Sequence, residues 1–133
     1  PVLGRLDEAE AEAQRALDLL VVMPMVRLDA LTTMLRLQVA LGTETATARL
    51  RPLLEEASML LGFYGHIGLH EVPLRLAMTL GYKACGDMAQ AEAAHAAARA
   101  ALELRVGRIE SETERNRYLG AVPVHAELLA LKI

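Results

Sequence analysis

Histidines and a single cysteine are the residues of this sequence best suited to chemistry. His66 and His70 lie four residues apart, a spacing that on a helix would place two imidazoles on one face for a metal ion. Gly65 and Gly68 disfavour a helix there. Leu74 stands where the second histidine of a His-Glu-x-x-His zinc motif would follow His70. We therefore predict no metal site and no bound cofactor.

The other candidates for catalysis stand alone in the sequence. Cys85 ends an apolar stripe and has no second cysteine nearby, which favours a small core residue over a nucleophile. His95 falls among alanines at a position typical of packing, so we expect a partly buried histidine with a hydrogen-bond partner. Ser58 and Ser111 have no base at a readable spacing, and the glycines of segment 62–68 lack the Lys-Ser/Thr of a phosphate loop. We predict that the chain is not an enzyme.

Composition and charge exclude several classes of protein. The chain has 133 residues, so we predict one domain over residues 1–133. The net charge is −3, and the arginines alternate with glutamates rather than forming a basic face, so we expect no nucleic-acid partner. The longest apolar run, Leu19 to Val26, is far shorter than the roughly 20 residues that span a bilayer. Pro1 and the absence of a signal-peptide pattern indicate an excised fragment of a cytoplasmic protein.

Hydrophobic periodicity predicts an all-α chain of about six to seven helices. Aromatic residues supply only 3% of the sequence, so Leu, Ala, Val and Met must build the core, and Ala and Leu favour helix. Pro52 either kinks the third helix or marks its later start, and the glycines of segment 62–68 predict a loop. Apolar residues three and four apart predict helices at about 3–20, 25–41, 44–61, 69–85, 87–106 and 111–119. Gly120 and Pro123 separate these from a last helix that ends at Leu131.

Capping signals and side-chain patterns add detail to these helices. Gly42 is predicted to end the second helix, and Asp87 and Ser111 are predicted to cap the fifth and sixth. The interior face of the fifth helix carries only small side chains, which permits close approach of a neighbouring helix. It consists of Ala91, Ala94, Ala97, Ala98 and Ala101. A polar strip of the fourth helix is predicted to face water, and it consists of Glu71, Arg75, Thr79 and Lys83.

Two segments of the sequence share one pattern. Gly4-x-Leu6-x-Glu8-Ala9 with Ala16 matches Gly86-x-Met88-x-Gln90-Ala91 with Ala98. These residues resemble the second helix of a tetratricopeptide repeat, in which two small residues seven apart let paired helices pack. Tyr82, four before Gly86, matches the aromatic residue that such repeats carry in the first helix. The segments are 82 residues apart, whereas two repeats of about 34 would give about 68, so the middle unit is predicted to be longer. The resemblance implies antiparallel helix pairs stacked as a short tetratricopeptide-like superhelix.

The C-terminal segment carries a second resemblance. The run from Gly86-Asp87 through Arg115-x-x-Tyr118-Leu119 to Val122-Pro123-x-His125 is similar to the closing segment of helical-repeat regions in large bacterial signalling proteins. In those proteins the repeats are joined to a kinase, cyclase or ATPase module. The resemblance implies a protein–protein interaction or intramolecular regulatory module, whose partner is a protein, a peptide or another domain of the same chain.

Three interaction sites are expected on this basis. Arg36 and Lys83 occupy comparable points on the first helices of their pairs, where they could line a groove for an acidic peptide or remain two solvated charges. An alternative function is a small-ligand sensor, with a pocket between the middle helices at Phe63, Tyr64 and His66. The first helix resembles the second half of a repeat, so its uncovered apolar stripe predicts a homodimer through this helix.

Overall fold

The computed structural model describes residues 2–19, 24–65 and 67–132, with side chains placed over 4–15, 26–65 and 67–132. Within these ranges the chain is all-α and contains no strand, which confirms the predicted fold class. A 3-10 turn, Gly68–His70, leads into the fourth helix. The seven α-helices of these ranges are α1 (Val2–Leu19), α2 (Pro24–Leu41), α3 (Glu44–Tyr64), α4 (Glu71–Ala84), α5 (Met88–Val106), α6 (Glu112–Ala121) and α7 (Pro123–Ala130).

Capping residues set several of the helix ends. The side chains of Asp87 and Ser111 each accept a hydrogen bond at 3.3 Å from the backbone N–H three residues later, so they cap α5 and α6. Thr43 caps α3 in the same way at 3.0 Å. Gly42 ends α2 with a φ of 63°, a backbone conformation that glycine adopts without strain. The ends predicted at Gly42, Asp87 and Ser111 are confirmed.

The third helix is longer than predicted. It begins at Glu44, so Pro52 lies inside it and does not mark a later start. It also continues through Gly62 to Tyr64, and the N–H of the following Gly65 donates to the Leu61 carbonyl at 2.8 Å. The loop predicted over 62–68 is therefore wrong in its first half. Leu61 is buried in the core, and this packing offsets the roughly 1 kcal/mol that a glycine costs inside a helix.

The helices pack around α4. α1 packs against α2, α2 against α3 and α4, and α4 against α3, α5 and α7, while α6 contacts α5 and α7. Two clusters of buried apolar side chains meet on opposite sides of α4. The first cluster joins α2, α3 and α4, and it includes Leu28, Leu31, Leu35, Leu50, Leu54 and Leu74. The second cluster joins α4, α5 and α7, and it includes Val72, Leu76, Ala98, Leu102 and Leu128.

Most of the polar strip of α4 is covered, contrary to the prediction that it faces water. Glu71 is 6% exposed and Thr79 is fully buried, whereas Lys83 is exposed. The Arg75 side chain is partly buried and its Nε donates to the Glu71 carboxylate at 3.0 Å. The Thr79 hydroxyl donates to the Arg75 backbone carbonyl at 2.8 Å. The prediction assumed that one face of α4 is free, but four other helices surround it.

Small residues bring the central helices close together. The alanines at positions 91, 94, 98 and 101 of α5 are buried and Ala97 is half-buried, as the alanine-rich face predicts. Gly81 of α4 lies against α2 and α3, where an added Cβ would stand 3.1 Å from the Leu54 Cδ2 atom and 3.6 Å from the Leu35 Cδ2 atom. The α4 backbone therefore approaches its neighbours more closely than a larger residue would allow.

The first helix is partly covered. Ala13 is buried and Leu6 and Ala9 are half-buried, because α1 packs against α2. Among the side chains that the structure describes, α2 therefore covers part of the apolar stripe of α1 that was predicted to be uncovered. None of the helices in the three described ranges has the length and apolar character needed to cross a membrane.

Candidate functional site

His70 lies in the turn before α4 and pairs with a residue of α2. Its Nδ1 atom and the Asp29 Oδ1 atom are 2.5 Å apart. His66, which the sequence placed beside it as a possible ligand and pocket residue, lies outside the described residues. In the described ranges no three His, Cys, Asp or Glu side chains form a group that could hold a metal ion.

The two other candidates for chemistry lie in packed surroundings. Cys85 is half-buried against the first core cluster, and its Sγ atom is 4.0 Å from the Thr47 carbonyl oxygen. His95 is half-buried as expected, but its Nε2 atom is buried without a hydrogen-bond partner in the described part of the chain. The expectation of a hydrogen-bonded His95 is therefore wrong for this nitrogen.

Tyr82 of α4 is partly buried against the first core cluster. Burial raises the pKa of Tyr82 above its usual value, and the carboxylates of Asp87 and Glu55 raise this pKa further. A hydrogen bond with Ser58 and the charge of Arg51 oppose the shift. The phenol is therefore neutral around pH 7 and serves as a structural hydrogen-bonding group.

Arg36 is held in an ion pair with the last helix. Its Nη2 atom donates to both carboxylate oxygens of Glu127 on α7, at 2.7 and 2.9 Å. The two side chains are 41% and 39% exposed, so the pair lies at the surface. Lys83 is exposed and forms no hydrogen bond or ion pair with the described residues. Of the two predicted partner-binding cations, Lys83 is thus available to an acidic partner, whereas Arg36 is engaged within the fold.

Large apolar side chains are exposed at the C-terminal end of α3. Phe63 is 80% exposed and Met59 is 66% exposed, and their spacing of four residues places them on one face of the helix. Tyr64 contacts Phe63 edge to face, with ring centroids 4.9 Å apart. We call Met59, Phe63 and Tyr64 the α3 patch. Leu69 follows five residues after Tyr64 and is 75% exposed.

Two clefts of the described chain lie away from the α3 patch. The smaller one, of about 210 Å³, is apolar, and Val72, Tyr118 and His125 contribute to its lining. The larger one, of about 610 Å³, lies between α1, α2 and α3. Neither Phe63 nor Tyr64 lines either cleft. The larger cleft is lined by residues that include Asp7, Glu10, Met34, Gln38, Arg49 and Leu53.

The roles of two polar residues, Glu127 and Gln38, were not predicted from the sequence. Glu127 pairs with Arg36 from 91 residues away, and no local pattern reveals such a contact. Gln38 is only 1% exposed, although it carries an amide. Its burial could have been predicted, because Gln38 is the single polar residue within the otherwise apolar segment Leu37–Leu41.

The described helices and surfaces define an all-α protein with an exposed aromatic patch and an amphipathic cleft. No protein-family model, curated protein or solved structure matches the chain.

Proposed function

We propose that this chain is a protein–protein interaction or intramolecular regulatory module, built as a short tetratricopeptide-like array. The packing order supports this proposal, because α2 and α3 contact each other and both contact α4, which in turn contacts α5. Stacked helix pairs have contacts of this kind between neighbours. The resemblance of the C-terminal segment to bacterial signalling proteins supports a regulatory role in the cytoplasm, without catalysis.

The α3 patch is the observation that carries this proposal. Phe63 is the only phenylalanine of the chain, yet it is 80% exposed, so the core is built without it. Covering such a side chain contributes about 1.5–3 kcal/mol, and grouped exposed apolar side chains mark contact surfaces. Met59 and Phe63 have the i, i+4 spacing with which a helix anchors in an apolar groove. The proposed partner therefore presents an apolar groove, on another protein or on another domain of this chain.

Self-association through α1 belongs to the same proposal. The support is the half-burial of Leu6 and Ala9, which leaves part of the α1 stripe open to a second copy. Light scattering over a range of protein concentrations measures this directly. A dimer mass that falls towards the monomer mass on dilution is the expected result, and a monomer mass at every concentration would rule the dimer out.

The alternative of a small-ligand pocket bounded by Phe63, Tyr64 and His66 has less support. Phe63 and Tyr64 are exposed side by side and contribute to neither cleft. A contact surface requires exposed side chains, as Phe63 and Tyr64 are, whereas a pocket requires other side chains that enclose them.

A matched pair of substitutions tests the role of the α3 patch. Phe63→Ser removes the patch, and Leu104→Ser changes another exposed apolar side chain, on α5 and 50% exposed. Both variants are expected to keep their stability within roughly 0.5 kcal/mol. In affinity capture from cells that express the protein, a partner bound by the wild type should be retained by Leu104→Ser and lost by Phe63→Ser. Equal capture by Phe63→Ser, or equal loss in both variants, would contradict the proposal.

A further inference from the structure

The larger cleft has the size and shape of a small-molecule site. Its volume of about 610 Å³ lies within the roughly 300–1,000 Å³ typical of ligand pockets. α1 and α3 each pack against α2, and the cleft opens between them, where the ion pair of Arg49 with Glu10 joins its two walls. Ala11 on one wall and Pro52 on the other are too small to fill it.

Gln38 gives the cleft an unusual polar group. The residue is 1% exposed, and its Nε2 atom donates to the Met34 sulfur at 3.3 Å, which is a weak acceptor. Its Oε1 atom is buried and has no hydrogen-bond partner among the described residues. Buried polar atoms in folded proteins almost always have a partner. Because Gln38 helps to line the cleft, a rotation of its amide would turn this oxygen towards a ligand N–H there.

The charges around the cleft determine whether a cationic or an anionic ligand is favoured. Glu10 and Asp7 come from α1, and Arg49 comes from α3. Arg49 pairs with Glu10, whereas Asp7 forms no ion pair with a described residue. The lining therefore carries one negative charge in excess and attracts a cation, while an anion would meet two carboxylates and an acceptor oxygen.

We infer that the cleft between α1, α2 and α3 binds a small organic amine with an apolar body. The ammonium group donates an N–H to Gln38 Oε1 in the field of the Asp7 carboxylate. The apolar body lies against Met34 and Leu53, which line the same cleft. Methionine adapts to the shape of such a ligand because its side chain is unbranched and flexible. This site is separate from the α3 patch and does not depend on the proposed interaction with a partner.

Three probes with the same apolar body separate charge from hydrogen-bond donation. They are 4-phenylbutylamine, its trimethylammonium derivative, which has no N–H, and 4-phenylbutyrate, which is an anion. In titrations of the wild-type chain followed by NMR, the amine is expected to bind with shifts confined to residues of the cleft. The trimethylammonium compound should bind about 10-fold more weakly, because it leaves the Gln38 oxygen without a donor. The carboxylate should show no saturable binding at the same concentrations.

Variants of the lining residues test each contact separately. Gln38→Leu and Gln38→Met remove the acceptor, so both should abolish the preference for the amine over the trimethylammonium compound, and neither should lower the melting temperature. Asp7→Asn should weaken both cations alike. Glu92→Gln changes an exposed carboxylate of α5 and should change neither affinity.

Several results would overturn the inference. They are the absence of saturable amine binding, binding of 4-phenylbutyrate as tight as that of the amine, or an amine preference that persists in both Gln38 variants. Phe63→Ser should leave amine binding unchanged, so failure of the α3 patch as a partner surface and failure of this site are distinguished in one set of proteins.

Discussion

Replacing Leu128 with alanine measures how strongly α7 is held in the fold. Leu128 is fully buried in the second core cluster, with Val72 and Leu76 of α4 and Leu102 of α5. Leu129 is the next residue of the same helix and is 41% exposed. The same substitution at both positions changes helix propensity equally, so their difference reports the burial of the side chain.

The expected magnitudes follow from burial. A Leu→Ala change at a fully buried site costs about 2.7–5.0 kcal/mol, and α7 is short enough to relax around the cavity, so we expect about 3 kcal/mol for Leu128→Ala. For Leu129→Ala we expect about 1 kcal/mol, because less apolar area is removed from contact and no enclosed cavity forms. The larger loss is a substantial part of the roughly 5–15 kcal/mol that stabilises a typical domain.

Urea denaturation provides the assay. The free energy of unfolding in water is extrapolated for the wild type and both variants, and equal slopes show that all three proteins expose the same amount of surface on unfolding. Amide hydrogen exchange then tests whether α7 opens by itself. If Leu128→Ala lowers the free energy of unfolding no more than Leu129→Ala does, Leu128 is not a core residue and does not belong to the second core cluster.

Two further perturbations test polar contacts. The Arg36–Glu127 pair is nearly half exposed, so a double-mutant cycle with Arg36→Gln and Glu127→Gln should give a coupling of about 0.2–1 kcal/mol that declines with added salt. A coupling of zero at low salt would show that the two side chains do not meet. The pKa of Tyr82 is raised in the folded state, so the unfolded chain loses the phenol proton first as the pH rises. The stabilising contribution of Tyr82 is therefore complete below about pH 10, and it is lost as the pH rises through the pKa of the folded state. Between about pH 8 and about pH 11 the unfolding free energy of Tyr82→Phe should therefore fall less than that of the wild type, and equal falls would contradict the assigned burial.

Helix positions were predictable because their signals are local. Gly42, Asp87 and Ser111 each act within four residues along the chain, through a left-handed backbone or a side-chain cap. The alanine face of α5 is equally local, since its spacing alone defines which side is buried. These elements are the ones on which sequence and structure agree.

The errors concern contacts made by distant parts of the chain. The spacing of the polar strip of α4 predicts an exposed surface, but whether such a strip is covered depends on how many helices surround it. Glu71 is buried although its sequence signal is that of an exposed residue. Gly62 lies inside a helix because the buried stripe of α3 continues to Leu61, which outweighs its low helix propensity. The engagement of Arg36 likewise depends on α7, far along the sequence.

The position of α4 also has a consequence for synthesis of the chain on the ribosome. Its first core face can pack as soon as it is made, because α2 and α3 precede it. Its second face, which includes Val72 and Leu76, is completed by α7, and Pro123 at the start of α7 follows Ala84 by 39 residues. At about 5–20 residues per second, this face waits roughly 2–8 s for its last covering helix. The nascent chain therefore exposes an apolar surface that a chaperone can bind, and the N-terminal cluster forms first.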